Sequence, residues 1–219
     1  MKRILSCALL SLVLLSFKAE AQSKDKPGIT WGFKLGLNGS DLTKGYTTVA
    51  PGEFKDPKMK LGFAGGFFFQ SPVSSNLDIE SSVEFSQEGA NQDGKIGTLT
   101  DGKFVQINVY KLNYLNIPVM LQLKGSNTGF YAEFGPQLGF LLGAKVTTKG
   151  ILAGPDVTVD KKDKFKGINF ALGVGAGYNF SSHWAAGARF YLGTTKFSDE
   201  VREMKSTVLN LSVRYRMKG

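Results

Sequence analysis

Residues 29–38 read ITWGFKLGLN, and every second side chain in this stretch is apolar. The apolar positions are Ile29, Trp31, Phe33, Leu35 and Leu37, and between them lie Thr30, Gly32, Lys34, Gly36 and Asn38. Successive side chains of a β-strand point to opposite faces, so this alternation predicts a strand with one apolar face and one polar or small face.

The same period of two recurs along the rest of the chain. The other candidate strands are residues 59–70, 77–86, 104–124, 130–146, 164–180, 184–193 and 205–217. In the strand at 130–146, the pattern places Phe140 and Leu142 on the apolar face and Lys145 on the other. Pro118 has no N–H to donate, so we expect a bulge or a non-bonded position there. The pattern therefore predicts eight strands.

The N-terminus has the features of a secretory signal peptide. Lys2 and Arg3 precede an apolar run at residues 4–17, and Ala19-Glu20-Ala21 follows. The run is shorter than the roughly 20 residues that span a bilayer, so we expect cleavage after Ala21 rather than an anchor. Residues 1–21 are then the signal peptide and residues 22–219 the mature domain. Cys7, the only cysteine, would be removed, which leaves no disulfide and no thiolate metal site.

The composition excludes several classes of protein. The 219 residues are 42% hydrophobic and 21% charged, which is unlike a disordered chain. Cleavage would lower the net charge from +9 to +7, and the basic residues are scattered among carboxylates. An exported chain with this distribution is not expected to bind nucleic acid, and an acidic partner at the cell surface fits better.

The connections between the candidate strands are alternately long and short. They span residues 39–58, 71–76, 88–103, 125–128, 147–163, 181–183 and 197–204. Outer-membrane barrels have long external loops and short periplasmic turns. The pattern predicts an all-β, eight-stranded antiparallel up-and-down transmembrane β-barrel in the outer membrane, with both termini in the periplasm.

The alternative with the same strand count is a soluble carrier of the lipocalin kind. Such a barrel has a polar exterior and an apolar cavity. Here the face that carries charges and glycines is too crowded to lie outside a small barrel, so the pattern favours the membrane.

Four stretches of the chain resemble one known family. They are YLNIPVML at 114–121, EFGPQLGFLL at 133–142, GVGAGY at 173–178 and RFYLG at 189–193. The sequence is similar to the porin-family, PorT-like outer-membrane β-barrels of Gram-negative bacteria. The resemblance implies the same barrel fold over nearly the whole mature chain. It implies little about function, because members of such families share mainly the scaffold.

Six charged residues fall on the predicted inward faces: Lys34, Glu80, Glu84, Glu133, Arg189 and Arg214. At about 3.3 Å per residue, most of them lie at similar heights, roughly 10 to 17 Å above the short turns. An isolated charge in a narrow lumen is costly, so we expect opposite charges to pair. Such an ionic cluster is either a static filling of the barrel, or a gate or binding site.

Aromatic residues mark the predicted periplasmic ends of the strands. These residues are Trp31, Phe69, Phe130, Trp184 and Tyr215. Aromatic rings favour the membrane interface, so the five form a candidate girdle. At the other end, residues 145–166 hold six lysines against three aspartates. They are expected either to be solvated or to contact lipid phosphates.

The sequence shows few signs of catalysis. His183, the only histidine, lies in a short turn at the end opposite the long loops, where a base for a surface enzyme would not be expected. The run Gly173-x-Gly175-x-Gly177 lies within an alternating strand and precedes no helix, so it does not predict a nucleotide site. We expect no catalytic residue, no cofactor, no metal and no enzymatic activity.

The sequence is compatible with three functions. The first is a structural or interaction scaffold with a side-chain-filled lumen, whose extracellular loops contact lipopolysaccharide phosphates or a protein partner. The others are an accessory of protein export across the outer membrane, and a small diffusion channel. Eight strands enclose an interior only wide enough for side chains, which favours the scaffold.

Overall fold

The fold is an antiparallel β-barrel. A computed structural model describes residues 28–42, 52–54, 58–96, 104–126, 128–149, 156–160, 162, 165–195 and 205–217. Its strands are β1 (Thr30–Leu42), β2 (Gly52–Phe54), β3 (Lys58–Ser74), β4 (Leu77–Ile96), β5 (Phe104–Lys124), β6 (Phe130–Lys149), β7 (Val157–Asp160), β8 (Ile168–Asn179), β9 (Trp184–Gly193) and β10 (Ser206–Met217). The predicted signal peptide lies outside the described residues.

Eight of these strands close into a ring. Neighbours pair antiparallel in the order β1, β3, β4, β5, β6, β8, β9 and β10, and β10 pairs with β1. The prediction of an eight-stranded up-and-down barrel is confirmed. The short strands β2 and β7 pair with β4 and β6 outside the ring. Within the described residues, no helix is long and apolar enough to cross a membrane.

The two faces of the barrel wall have opposite chemistry. Outward side chains such as Leu35 and Leu61 are 70% and 76% exposed, whereas Phe68 and Met120 point inward and are fully buried. The short turns at 75–76, 125–126 with 128–129, and 180–183 lie at one end, together with the first residues of β1 and the last residues of β10. We call this the turn end, and the opposite end the loop end.

The strands run further toward the loop end than the sequence predicts. Residues 88–96 were predicted as loop, but they belong to β4 and remain paired with β5 up to Ile96 and Phe104. Beyond the ends of β1 and β10, β4, β5 and β6 continue and bind β2 and β7, so that a sheet projects from one side of the barrel. Residues 88–96 of β4 show no regular alternation of apolar residues, so the pattern could not predict this part of the strand.

Regular strand pairing is interrupted at two places in the ring. The ladder between β4 and β5 skips the position of Pro118 without a register shift, which confirms a non-bonded position rather than a bulge. Between β5 and β6 the register does shift, because Asn113 pairs with Gly143 and Tyr114 with Leu141. Leu142 is the extra residue, and beyond it the alternation reverses. Lys145 is therefore exposed on the outer face, and its predicted inward direction was wrong.

Glycine clears space at one close approach of β5 and β6. A Cβ atom on Gly135 would collide with the carbonyl of Val119 and come within 3.0 Å of the Met120 Cα, whereas one on Gly143 of the same strand would meet nothing within 4 Å. We expect Gly135→Ala to destabilise the barrel by about 1–3 kcal/mol. Gly143→Ala should leave it unchanged or slightly more stable. Equal urea midpoints for the two variants would contradict this packing.

Candidate functional site

The five aromatic residues of the predicted girdle lie on the outer face at the turn end. Their exposed fractions run from 37% for Tyr215 to 63% for Phe130. Trp31 is the cross-strand partner of Phe69, and the rings of Trp184 and Tyr215 are 4.8 Å apart. Phe130 packs edge-on against Tyr178 at 4.7 Å. The set therefore lies in three pairs on the outer wall: Trp31 with Phe69, Trp184 with Tyr215, and Phe130 with Tyr178.

The six predicted inward charges come together inside the barrel. Lys34 is on β1, Glu80 and Glu84 are on β4, Glu133 is on β6, Arg189 is on β9 and Arg214 is on β10. All six are at most 5% exposed. They project from five different strands into one layer, which we call the ionic cluster.

Arg189 binds two carboxylates at once. Its Nε donates to Glu133 Oε1 at 2.5 Å, and its Nη2 donates to Glu133 Oε2 at 2.8 Å and to Glu80 Oε1 at 2.6 Å. Two parallel N–H···O bonds to one carboxylate are among the strongest charged contacts in proteins. Arg189 thus ties β9 to β6 and β4 across the lumen.

Glu80 is the centre of the ionic cluster. It accepts hydrogen bonds from Arg189 and Arg214, and Lys34 Nζ lies 3.7 Å away. Lys34 donates to Glu84 Oε1 at 2.8 Å. With three cations and three carboxylates, the cluster is electrically balanced, as a low-dielectric interior requires.

Aromatic rings and amides extend the cluster toward the turn end. The Arg214 guanidinium lies 4.7 Å from the centre of the Tyr131 ring and 5.9 Å from that of Phe68. Gln122 donates to both Glu80 and Glu133, at 2.9 and 2.7 Å. Arginine above an aromatic face adds a cation–π attraction. The lumen at this height is therefore filled by contacting side chains.

A further layer lies closer to the turn end. Asp78 accepts hydrogen bonds from Gln70 Nε2 at 2.6 Å and from Lys124 Nζ at 2.7 Å. Arg216 donates to Gln70 Oε1 at 3.1 Å. None of these four residues is among the six inward charges predicted from the sequence. What could have identified them in the sequence is their position on the inward face of their strands, close to the residues of the ionic cluster.

Two groups of apolar side chains are buried in the lumen beyond the six predicted charges, and three of their members, Tyr114, Met120 and Tyr191, have the inward direction that the alternation predicts. Apolar side chains there form one buried group, which Phe165 covers: Ala90, Leu112, Tyr114, Leu141 and Ala144. A second group consists of Met120, Ala171, Tyr191 and Val208. Apolar residues on a predicted polar face are mismatches to the barrel pattern, and these mismatches were the available signal.

His183 lies in an exposed turn. Its Nδ1 is 3.0 Å from Ser182 Oγ, and its ring stacks on Tyr215 at 5.9 Å. No carboxylate among the described residues orients this histidine. Within the same residues, no group of three or more acidic, histidine or cysteine side chains is arranged to hold a metal ion.

The sequence matches a family model described as an outer membrane protein beta-barrel domain, over residues 20–199. The chain belongs to this family. The outward apolar face of the ring is therefore its lipid-facing surface, and the protein is located in the outer membrane. The outer-membrane part of the resemblance seen in the sequence is confirmed.

Several solved structures are similar to this chain. One is Ail, the attachment invasion locus protein of Yersinia pestis, with 14% identity, a TM-score of 0.44, and coverage of 87% of this chain and 99% of that one. Another is OprG of Pseudomonas aeruginosa, with 12% identity, a TM-score of 0.37, and coverage of 89% and 98%. A comparison with curated proteins finds no match.

Proposed function

We propose that this protein is a non-enzymatic scaffold of the outer membrane, with a filled lumen and an interaction surface at its loop end. The observation that carries the proposal is the ionic cluster, in which side chains from five strands meet at the centre of the barrel. In this interpretation the cluster is a static filling rather than a gate, because every charge in it already has an opposite partner.

The filled lumen argues against the diffusion channel. Arg189 spans from β9 to β4 and β6, and Tyr131 and Phe68 close the space beside Arg214. We expect no sustained conductance from the purified protein in planar bilayers, since a solute would have to separate buried ion pairs. Stable ohmic channels of nanosiemens size at single-molecule density would contradict the scaffold and support the channel.

The projecting sheet supports an interaction role. β7 is its outermost described strand next to β6, and all four of its residues are exposed, with Val157 57% and Val159 45% accessible. Edge strands offer backbone groups on which a partner strand can pair. We propose a protein partner or lipopolysaccharide phosphates as the ligands of this end. Cross-linking in native outer membranes, followed by purification, should recover a stoichiometric partner, and an export component there would favour the export role.

The orientation is also a proposal, with the loop end outside the cell and both termini in the periplasm after cleavage near Ala21. An epitope inserted near Gly45 or Pro155, which lie outside the described residues, should be reached by antibody on intact cells. One inserted at Ser126, in the turn between β5 and β6, should be reached only after the outer membrane is permeabilised. Labelling of Ser126 on intact cells would reverse the orientation. The aromatic girdle would then mark the opposite interface.

A further inference from the structure

Three lysines lie close together at the loop end of the barrel wall. Lys111 on β5 and Lys145 on β6 are direct cross-strand partners, and both are exposed. Lys60 on β3 is half-buried, and a Cβ atom on Gly89, the β4 partner of Lys111, would lie 3.4 Å from the Lys60 Cδ. The Lys60 ammonium group is close enough to that of Lys111 to be repelled by it. We call Lys60, Lys111 and Lys145 the lysine row.

A bulge brings Lys145 into the lysine row. Without the extra residue at Leu142, Lys145 would have the parity of the inward side chains; with it, Lys145 shares the outer face with Lys111. Bulges at barrel rims commonly redirect a side chain in this way. Like charges directly opposite each other on two strands are unfavourable in a sheet. A ligand with negative charge would offset that repulsion.

The lysine row lies at the loop-side border of the lipid-facing surface. On β5 every outward side chain in 115–123 is apolar, and Lys111 lies four residues beyond this run. On β6, Lys145 lies three residues beyond Leu142, which is 48% exposed. The run on β5 is about 26 Å long, close to the apolar band of roughly 25 Å in such barrels. A lysine stem covers apolar surface while its ammonium group reaches the polar layer, so the row is at the height of lipid headgroups.

One carboxylate lies beside the lysine row. Asp160 on β7 is the cross-strand partner of Lys145, and its Oδ1 accepts a hydrogen bond from the backbone N–H of Lys162 at 3.0 Å. Three ammonium groups against this one carboxylate leave an excess of positive charge. Lysine binds phosphate as a compact point charge. An anionic lipid headgroup at this height therefore has the complementary charge.

We propose that the lysine row binds the phosphate groups of lipopolysaccharide. The inference rests on the proposed function and its orientation, in which the loop end faces the outer leaflet. The outward apolar side chains next to the row contact the acyl chains of the same lipid, and the ammonium groups contact its phosphates. The bulge at Leu142 thus has a function, because it supplies one of the three cations.

The test measures lipid binding by native mass spectrometry of the folded barrel in detergent micelles. The probes are diphosphoryl lipid A and the same lipid with its phosphates removed, and the wild type should bind the diphosphoryl form more tightly. Replacing both Lys111 and Lys145 by glutamine should weaken that binding about 25-fold, since each lysine near an anionic surface contributes about fivefold. Binding of the dephosphorylated lipid should not change. Without lipid, the double variant should unfold in urea no earlier than wild type, because opposed like charges are removed.

Lys149→Gln is the matched control. Lys149 lies four residues beyond Lys145 on β6 and pairs with Asp156 at 3.7 Å, so its replacement should leave lipid binding unchanged. Equal binding of the two probes by the wild type, or an equal loss in Lys149→Gln and in the double variant, would overturn the proposal. Complete displacement of the lipid by inorganic phosphate would also overturn it, since the site would then take free anions. Binding in micelles does not depend on orientation, which the epitope at Ser126 tests separately.

Discussion

Replacing Arg189 by methionine is expected to lower the free energy of unfolding by about 3–5 kcal/mol. Methionine keeps much of the length of the side chain but removes the bonds to Glu133 and Glu80. Three buried carboxylates would then share the two remaining cations of the cluster, Lys34 and Arg214. The loss arises mainly because charge is left uncompensated in a low-dielectric interior. Urea unfolding of the folded barrel in detergent micelles measures it as a lower midpoint.

Ala188→Val is the matched control for this variant. Ala188 neighbours Arg189 on β9 but points to the lipid-facing side, where its cross-strand partners are Ala176 and Leu211. A β-branched residue is favourable in a strand, so we expect the free energy of unfolding to change by no more than about 0.5 kcal/mol. If Arg189→Met and Ala188→Val unfold at the same urea concentration, Arg189 does not carry the buried pairs described above.

Glu80→Gln should lower the free energy of unfolding by a comparable amount, again about 3–5 kcal/mol. The glutamine fills the same space, but Lys34, Arg189 and Arg214 then face only two carboxylates. Glu80 accepts from Arg189 at 2.6 Å and from Gln122 at 2.9 Å, and one amide oxygen cannot replace both carboxylate oxygens. The measurement is the same urea midpoint, at neutral pH.

Charge balance can be tested separately from packing by a second substitution. Lys34→Met alone removes the 2.8 Å partner of Glu84 and should destabilise the barrel. In the double variant with Glu80→Gln, two cations again face two carboxylates. We therefore expect the loss in the double variant to be smaller than the sum of the single losses, by an amount within the 0.5–3 kcal/mol typical of coupled neighbours. Strict additivity would show that balance does not govern the cluster.

The sequence alone determined the barrel and the direction of most of its side chains. Lipid on one side of the wall forces apolar residues onto every second position, so Leu35 and Lys34 are assigned to opposite faces by their parity. The same rule selected the six charges of the ionic cluster. It also predicted the ring of eight strands, because each strand had to carry its own alternating pattern.

Only the tertiary structure decided which inward residues meet and where the pattern fails. The pairing of Arg189 with Glu80 depends on the register between strands distant in sequence, and no local pattern encodes that register. The extra residue at Leu142 reverses the face of Lys145, because one extra residue moves every later side chain of the strand to the opposite face.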